Sequence, residues 1–299
     1  MVLALLEETG TDWSAVEAIA YTRGPGLLGS LMVGASLAKG LAGSLGLPLW
    51  GVHHLHGHLV SPFVDQEPDG AFPMLSLTVS GGHTHLVWME SLLQWEVLAE
   101  TRDDAAGEAF DKCAKMLGLA YPGGPLLDSL SKGGDPHAHT WPFARVGLDS
   151  YSFSGLKTSV LYYLQKHPIS TDSLAGDPRL ADLCASVRYH IVESLLRPLR
   201  HWRDALKPRS LALVGGVAAN SLLRQRMLEM GGLYGLKVWI PPTRYCTDNA
   251  AMIAASARVL MDAGWHQPLA LHERPLARWP LQEYLVETGG LNQAPVPGS

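Results

Sequence analysis

Two histidines four residues apart, His54 and His58 in the run Val52-His53-His54-Leu55-His56-Gly57-His58-Leu59, carry the most distinctive chemistry of this sequence. On a helix, positions i and i+4 share a face, so both imidazoles can turn toward one metal ion. A proteolytic zinc helix carries Glu directly after its first histidine, and here Leu55 stands in that place. A metal can therefore be held without the general base of a zinc protease. Asp248, in Cys246-Thr247-Asp248-Asn249, is a candidate third ligand far downstream. The commoner role of an Asp at a helix start is to complement the helix dipole, and both roles stay open.

Two glycine turns are the next candidates. Met74 to Val79 reads as a strand that turns at Ser80-Gly81-Gly82 and returns through His83 to Trp88. Such a hairpin tip can bring backbone N–H groups against an anion. Leu211 to Val214 is a buried strand running through Gly215-Gly216 into a helix, and a strand end followed by bare glycines and a helix start suits a nucleotide. Tight strand-to-helix turns also use glycine with no ligand at all.

Strands and helices must alternate to position these groups. Residues 1–9 predict a helix closing at Gly10, with Asp12 capping a short turn and a strand at 18–21. The turn at 24–30 leads into a helix whose small residues Gly34, Ala35, Ala38 and Gly40 permit close packing on a sheet. A strand at 47–52 delivers the histidines to its C-terminal end, where open α/β sheets place ligands. Asp104 is expected to start a helix running to Gly118, and 121–125 to break it. A further helix opens at 152–158, 177–206 reads as one long amphipathic helix, and Cys246 is expected to start another.

At 299 residues and 47% hydrophobic content, the chain can bury a full core, and its length suggests roughly two domains. No run of about 18 uninterrupted apolar residues occurs, and the first eight residues lack the basic region of a signal peptide, which predicts a soluble intracellular protein. Cys113, Cys184 and Cys246 form no CxxC pair and leave one thiol over, which suits a reducing compartment and buried structural roles. The net charge of −5 argues against binding nucleic acid by bulk electrostatics. A local excess of bases between Arg188 and Arg226 reads either as a phosphate-binding face or as a solvated helix face.

Six segments, in order, resemble the signatures of the tRNA adenosine threonylcarbamoyltransferases of the bacterial or organellar branch. They are His54-Leu55-His56-Gly57-His58, Val79-Ser80-Gly81-Gly82-His83-Thr84, the run from Asp104 to Lys112, Ser152-Phe153-Ser154-Gly155-Leu156-Lys157-Thr158, Gly215-Gly216-Val217-Ala218-Ala219-Asn220 and Cys246-Thr247-Asp248-Asn249. The resemblance implies an α/β fold of two ribonuclease-H-like lobes, as in actin, Hsp70 and sugar kinases. Residues 1–71, completed by 246–275, would form the first lobe, 72–245 the second, and 276–299 a C-terminal tail. It also implies the reaction: transfer of threonylcarbamoyl from threonylcarbamoyl-adenylate to the N6 amine of the adenosine 3′ of the anticodon, in tRNAs reading codons that begin with A.

Residue by residue, the resemblance makes His54, His58 and Asp248 ligands of one divalent metal, iron(II) in preference to zinc. Val79, Ser80, Gly81, Gly82, His83, Asp111, Gly124 and Asn220 become contacts to the adenylate or substrate. His83 or a phosphate oxygen would accept the proton, and the general base is not identified. The family implies tRNA, a paralogous partner subunit and an ATPase subunit as partners, in the bacterial cytoplasm or the mitochondrion. His56, where many relatives carry Glu, reads as a helix-surface residue. Relatives open with an acid-rich Ser-Cys-Asp-Glu strand that nothing here matches, so roughly sixty opening residues are expected to be absent, leaving the first lobe incomplete and its activity in question. Two other classes stay open: a non-catalytic subunit that docks a partner, and a metallopeptidase, against which the missing Glu argues.

Overall fold

A computed structural model describes residues 2–169, 177, 179–264 and 270–287. The chain divides into two compact units, residues 1–60 with 249–299, and residues 61–248. The sequence reading set its boundaries at 71 and 246.

The first unit opens with helix α1 (Val2–Thr9), closed by Gly10 in the left-handed region, and Asp12 accepts from Ser14 N at the start of a short 3-10 turn. Strands β1 (Ile19–Gly24) and β2 (Leu49–His53) pair in parallel, joined by helix α2 (Leu28–Leu45). Leu31, Ala35, Ala38 and Ala42 recur at helical spacing on α2, and their small size lets it pack closely on the sheet. Leu28, Met32, Val33 and Leu37 are exposed on the rest of that helix. Among the described residues α2 is long and apolar enough to cross a membrane by length and composition, a test that core helices of soluble proteins also meet. Helix α3 (His54–Val60) follows β2 without a break and packs on helix α10 (Ala250–Asp262).

The second unit is built on a six-stranded mixed sheet. In chain order its first strands are β3 (Met74–Val79), β4 (Thr84–Ser91), β5 (Gln94–Thr101) and β6 (Ser150–Tyr151), followed by β7 (Ser210–Val214) and β8 (Lys237–Trp239). Their spatial order is β6-β5-β4-β3-β7-β8, antiparallel between β3, β4 and β5 and parallel elsewhere. All six residues of β3 and all five of β7 are buried, as expected of central strands covered on both faces. Helices α4 (Ala106–Met116) and α7 (Arg179–Leu206) supply much of the core. Helices α5 (Gly123–Leu130), α6 (Ser154–Lys166), α8 (Ser221–Tyr234) and α9 (Thr243–Cys246) complete the unit.

Several expectations change. Asp104 does not cap α4; it pairs with Lys157 and, at 2.9 Å, with Lys112. Asp103 accepts from Phe153 N at 2.8 Å and from Ser152. These carboxylates tie the 104–112 and 152–158 segments together as an internal buckle. Burial works to raise both carboxyls, but the donors around them win and hold both below the usual range. α4 ends at Met116, ahead of the break expected at 121–125, and Gly123, Gly124 and Pro125 already form the first turn of α5. Cys246 ends α9, and α10 starts at Ala250 under an Asn249 cap that accepts from Met252 N at 2.9 Å. All three cysteines are free and buried, and burial pushes the Cys113 and Cys184 thiols up to about 12.

Candidate active site

The histidine pair sits where the strand–helix junction puts it. His54 and His58 lie on one face of α3 with ring centroids 4.8 Å apart. Packing of α3 on α10 brings Asp248, one residue before the cap Asn249, to the same place. One ligand atom from each of the three lies within 4.8 Å of the others. Donors on a common ion at about 2.1 Å are at most about 4.2 Å apart, so side-chain adjustments of about half an ångström close the set. Two imidazoles and one carboxylate on one side of an ion match a non-haem iron or zinc site with open positions. His58 is buried and Asp248 exposed, so the set has one face toward solvent.

His56 is a correction. It is fully buried, and its Nδ1 lies 2.6 Å from Ser256 Oγ on α10. The sequence reading of a surface position fails because the covering groups lie far away in the chain, although His56 indeed stays outside the ligand set.

In the second unit a cavity of about 420 Å³ opens among three backbone segments. Gly81 belongs to the hairpin tip between β3 and β4. Ser80 N donates to His83 O at 2.9 Å and His83 N to Ser80 Oγ at 3.2 Å, which folds the tip back on itself. The second wall is the start of α5, where Asp111 Oδ1 accepts from both Gly123 N and Gly124 N at 2.9 Å. Asp111 and Gly124 thus bond to one another, and the other carboxylate oxygen of Asp111 remains for a ligand. The third wall is the turn after β7. Gly215 (φ +91°) abuts the Val79 carbonyl, and the chain continues through a 3-10 turn (Gly216–Ala219) to Asn220, whose side chain caps α8 by accepting from Leu223 N at 3.0 Å. With Oδ1 so engaged, Asn220 offers its amide N–H₂ to the cavity.

Of the eight contacts expected from sequence, Gly81, Asp111, Gly124 and Asn220 line this cavity, whereas Val79, Ser80, Gly82 and His83 do not. His83 instead stacks on His85 with centroids 5.8 Å apart. Two charged lining residues were missed. Asp128 bonds Ser221 N at 3.2 Å, Ser221 Oγ at 2.9 Å and Arg188 at 3.0 Å, and Lys132 is the single cation on the lining. The signal was available, since Gly124, Asp128 and Lys132 recur every fourth residue and so share one side of the helical segment. A cavity of this size with glycine backbone, two carboxylates and one ammonium has the dimensions and polar groups that a nucleoside monophosphate requires.

Half of the eight bases expected to form a basic face are paired with acids. Arg188, Arg200, Arg203 and Arg226 are paired with Asp128, Glu193, Asp204 and Glu229.

Comparison with known proteins shows the family. The family model for tRNA N6-adenosine threonylcarbamoyltransferase matches residues 1–255. A protein of that name from Salinibacter ruber is 49% identical over 92% of this chain and 82% of its own length. One from Cytophaga hutchinsonii is 43% identical over 97% of this chain and 81% of its own. Among solved structures, HypF from T. kodakarensis superposes with a TM-score of 0.62 at 16% identity, over 88% of this chain and 43% of that one, a likeness of fold alone. The fold is that of the actin, Hsp70 and sugar-kinase superfamily, and the chain belongs to the tRNA N6-adenosine threonylcarbamoyltransferase family.

Proposed function

We propose that this chain is an acyltransferase that moves the threonylcarbamoyl group from threonylcarbamoyl-adenylate to the N6 amine of the adenosine 3′ of the anticodon in tRNAs reading codons that begin with A. The observation that carries the reading is the gathering of Gly81, Asp111, Gly124 and Asn220 around one nucleotide-sized cavity in a chain of this family. In the reaction the amine nitrogen bonds to the carbamoyl carbon, the bond from that carbon to the phosphate oxygen breaks, and the electron pair leaves with AMP. Loop N–H groups and Lys132 offset the charge that develops on the leaving phosphate. Asp128, held by Ser221 and Arg188, and Asp111, held by the α5 N–H groups, fix the sugar without side-chain reorganisation. The adenine amine is a weak nucleophile, so positioning supplies much of the acceleration. Since His83 does not line the cavity, a phosphate oxygen of the leaving AMP is the favoured proton acceptor.

His54, His58 and Asp248 are proposed to hold one divalent ion, iron(II) over zinc, on the strength of the two-imidazole, one-carboxylate donor set. When bound, the ion supplies Lewis-acid polarisation of an oxygen. Besides tRNA, a paralogous subunit and an ATPase subunit are proposed partners, and the exposed apolar face of α2 supports protein docking. The three free thiols support a cytoplasmic or mitochondrial location.

The reading is tested by incorporation of labelled threonine into tRNA, with the adenylate-forming enzyme and partner proteins supplied. Asn220→Ala and Asp111→Ala should each lower incorporation at least tenfold. Undiminished incorporation in both would remove the cavity from the reaction.

A further inference from the structure

The stretch after residue 270 lies beyond the 1–255 family match, and its described part is packed into the first unit rather than trailing as a tail. Leu276 N donates to Arg23 O at 2.8 Å and Gly26 N to Ala277 O at 3.2 Å, so the returning chain bonds to the end of β1. A side chain at Gly24 would collide with the Leu276 carbonyl. Arg23 bonds Glu273 at 2.9 Å and Arg274 O at 3.2 Å, and its guanidinium lies over the Trp279 ring.

The segment then clasps the residues on either side of His54. His53 Nδ1 accepts from Leu55 N at 3.1 Å, which leaves the proton on Nε2, and Nε2 donates to Trp279 O at 2.9 Å. The Trp279 ring lies 4.9 Å from the His53 ring. Helix α11 (Leu281–Glu287) brings in Tyr284, which is fully buried, with its ring centroid 5.2 Å from His53 and 5.5 Å from His56. The His53 backbone and the Ser256 hydroxyl both lie against the Tyr284 phenol. Ser256 also bonds His56, so the three elements share one closed group of contacts.

We propose that residues 276–284 are a positioning clamp for the metal-bearing helix, with Trp279 and Tyr284 as its positioning residues. The inference rests on the reading of His54, His58 and Asp248 as metal ligands. A seven-residue helix has little stability of its own, so the direction of α3 must be set by what surrounds it. The clamp fixes the rotamers of His53 and His56 and thereby the phase of the helix face that carries His54 and His58. Outer-shell groups of this kind typically set metal affinity by 10- to 100-fold.

The test is titration of the metal-free full chain with Co(II), followed by the visible absorption of the bound ion, in wild type, Tyr284→Phe, Tyr284→Ala and Trp279→Ala. AMP affinity, which reports on the cavity of the other unit, is measured on the same samples. The clamp predicts Co(II) affinity lowered at least tenfold with an altered absorption band in Tyr284→Ala and Trp279→Ala. It predicts loss within about threefold in Tyr284→Phe, which keeps the packed ring, and unchanged AMP affinity throughout. Wild-type Co(II) affinity and spectrum in both alanine variants would overturn the clamp alone. Parallel loss of AMP binding would show a merely structural role and also overturn it. A wild-type chain that takes no Co(II) would remove the metal reading and the clamp together.

Discussion

Replacing Gly107 with alanine tests whether the hairpin tip must sit where it does. Gly107 is the second residue of α4, and its N–H donates to Ser80 O at 3.2 Å. A Cβ at this position would stand 2.5 Å from that oxygen and 2.8 Å from the Gly81 Cα. Both are backbone atoms, so no rotamer change relieves the clash. Ordinary contact begins near 3.4 Å, so the tip must retreat by about 0.9 Å. For stability two effects oppose: alanine favours the helix by about 1 kcal/mol, and overpacking costs about 1–3 kcal/mol. The net loss is about 1 kcal/mol, too little to unfold a domain. For the reaction nothing opposes the displacement, and misplacement by about 1 Å costs about 100-fold in rate, or about 2.7 kcal/mol of barrier. The assay is steady-state threonylcarbamoyl transfer beside AMP titration, with thermal unfolding as the check on folding. A folded Gly107→Ala variant with wild-type turnover and AMP affinity would refute the claim that the Ser80–Gly81 backbone is a fixed wall of the site.

Other outcomes follow from the same structure. Burial lowers the pKa of His85, 3.9 Å from Glu100, and of His190 to about 4 each. Between pH 6.5 and about 4 the unfolded chain therefore binds more protons than the folded one, and stability falls as the pH is lowered through that window, by up to about 3 kcal/mol per histidine. Thermal unfolding from pH 7 to 4.5 should show this fall, and His190→Phe should flatten it; an identical pH slope in the variant would contradict the assignment. Asp104→Asn strips the partly buried Lys157 and the exposed Lys112 of their shared partner and should cost about 2 kcal/mol in urea unfolding, a value discounted for the exposure of Lys112. No change in the midpoint would mean that the buckle is solvent-screened. Asn220→Ala removes the α8 cap and one donor to the cavity, so about 1 kcal/mol of stability should go together with weakened AMP binding; loss of stability without loss of affinity would leave Asn220 a cap only.

The elements legible from the sequence were those whose pattern is local. The long amphipathic face of α7, the hairpin at 80–82 and the apolar run of β7 lie within about one residue or two of where periodicity puts their ends. His54 and His58 were legible because i, i+4 spacing is itself a geometric statement, and Asp248 joined them through its motif. What stayed hidden depends on distant partners. His56 is buried because Ser256 and Tyr284 come to it from the other end of the chain. Among the bases from 188 to 226, Arg188 is neutralised by Asp128, which lies outside that window. Asp104 read as a helix start, but a lysine some fifty residues on competes for its carboxylate and wins. Asp128 lacked any motif, and only its spacing from Gly124 could have placed it on the cavity.

The central claim is tested most directly with purified threonylcarbamoyl-adenylate in place of the enzyme that makes it. The chain and its partner proteins are given a tRNA reading an ANN codon, either intact or with inosine at the position 3′ of the anticodon, which removes the exocyclic amine. Nucleoside mass spectrometry and AMP release are then read together. The account predicts threonylcarbamoyladenosine at that position of the intact tRNA, AMP released in equal amount, and no product on the inosine tRNA. Absence of the modified nucleoside from the intact tRNA, or AMP release that ignores the missing amine, would contradict it.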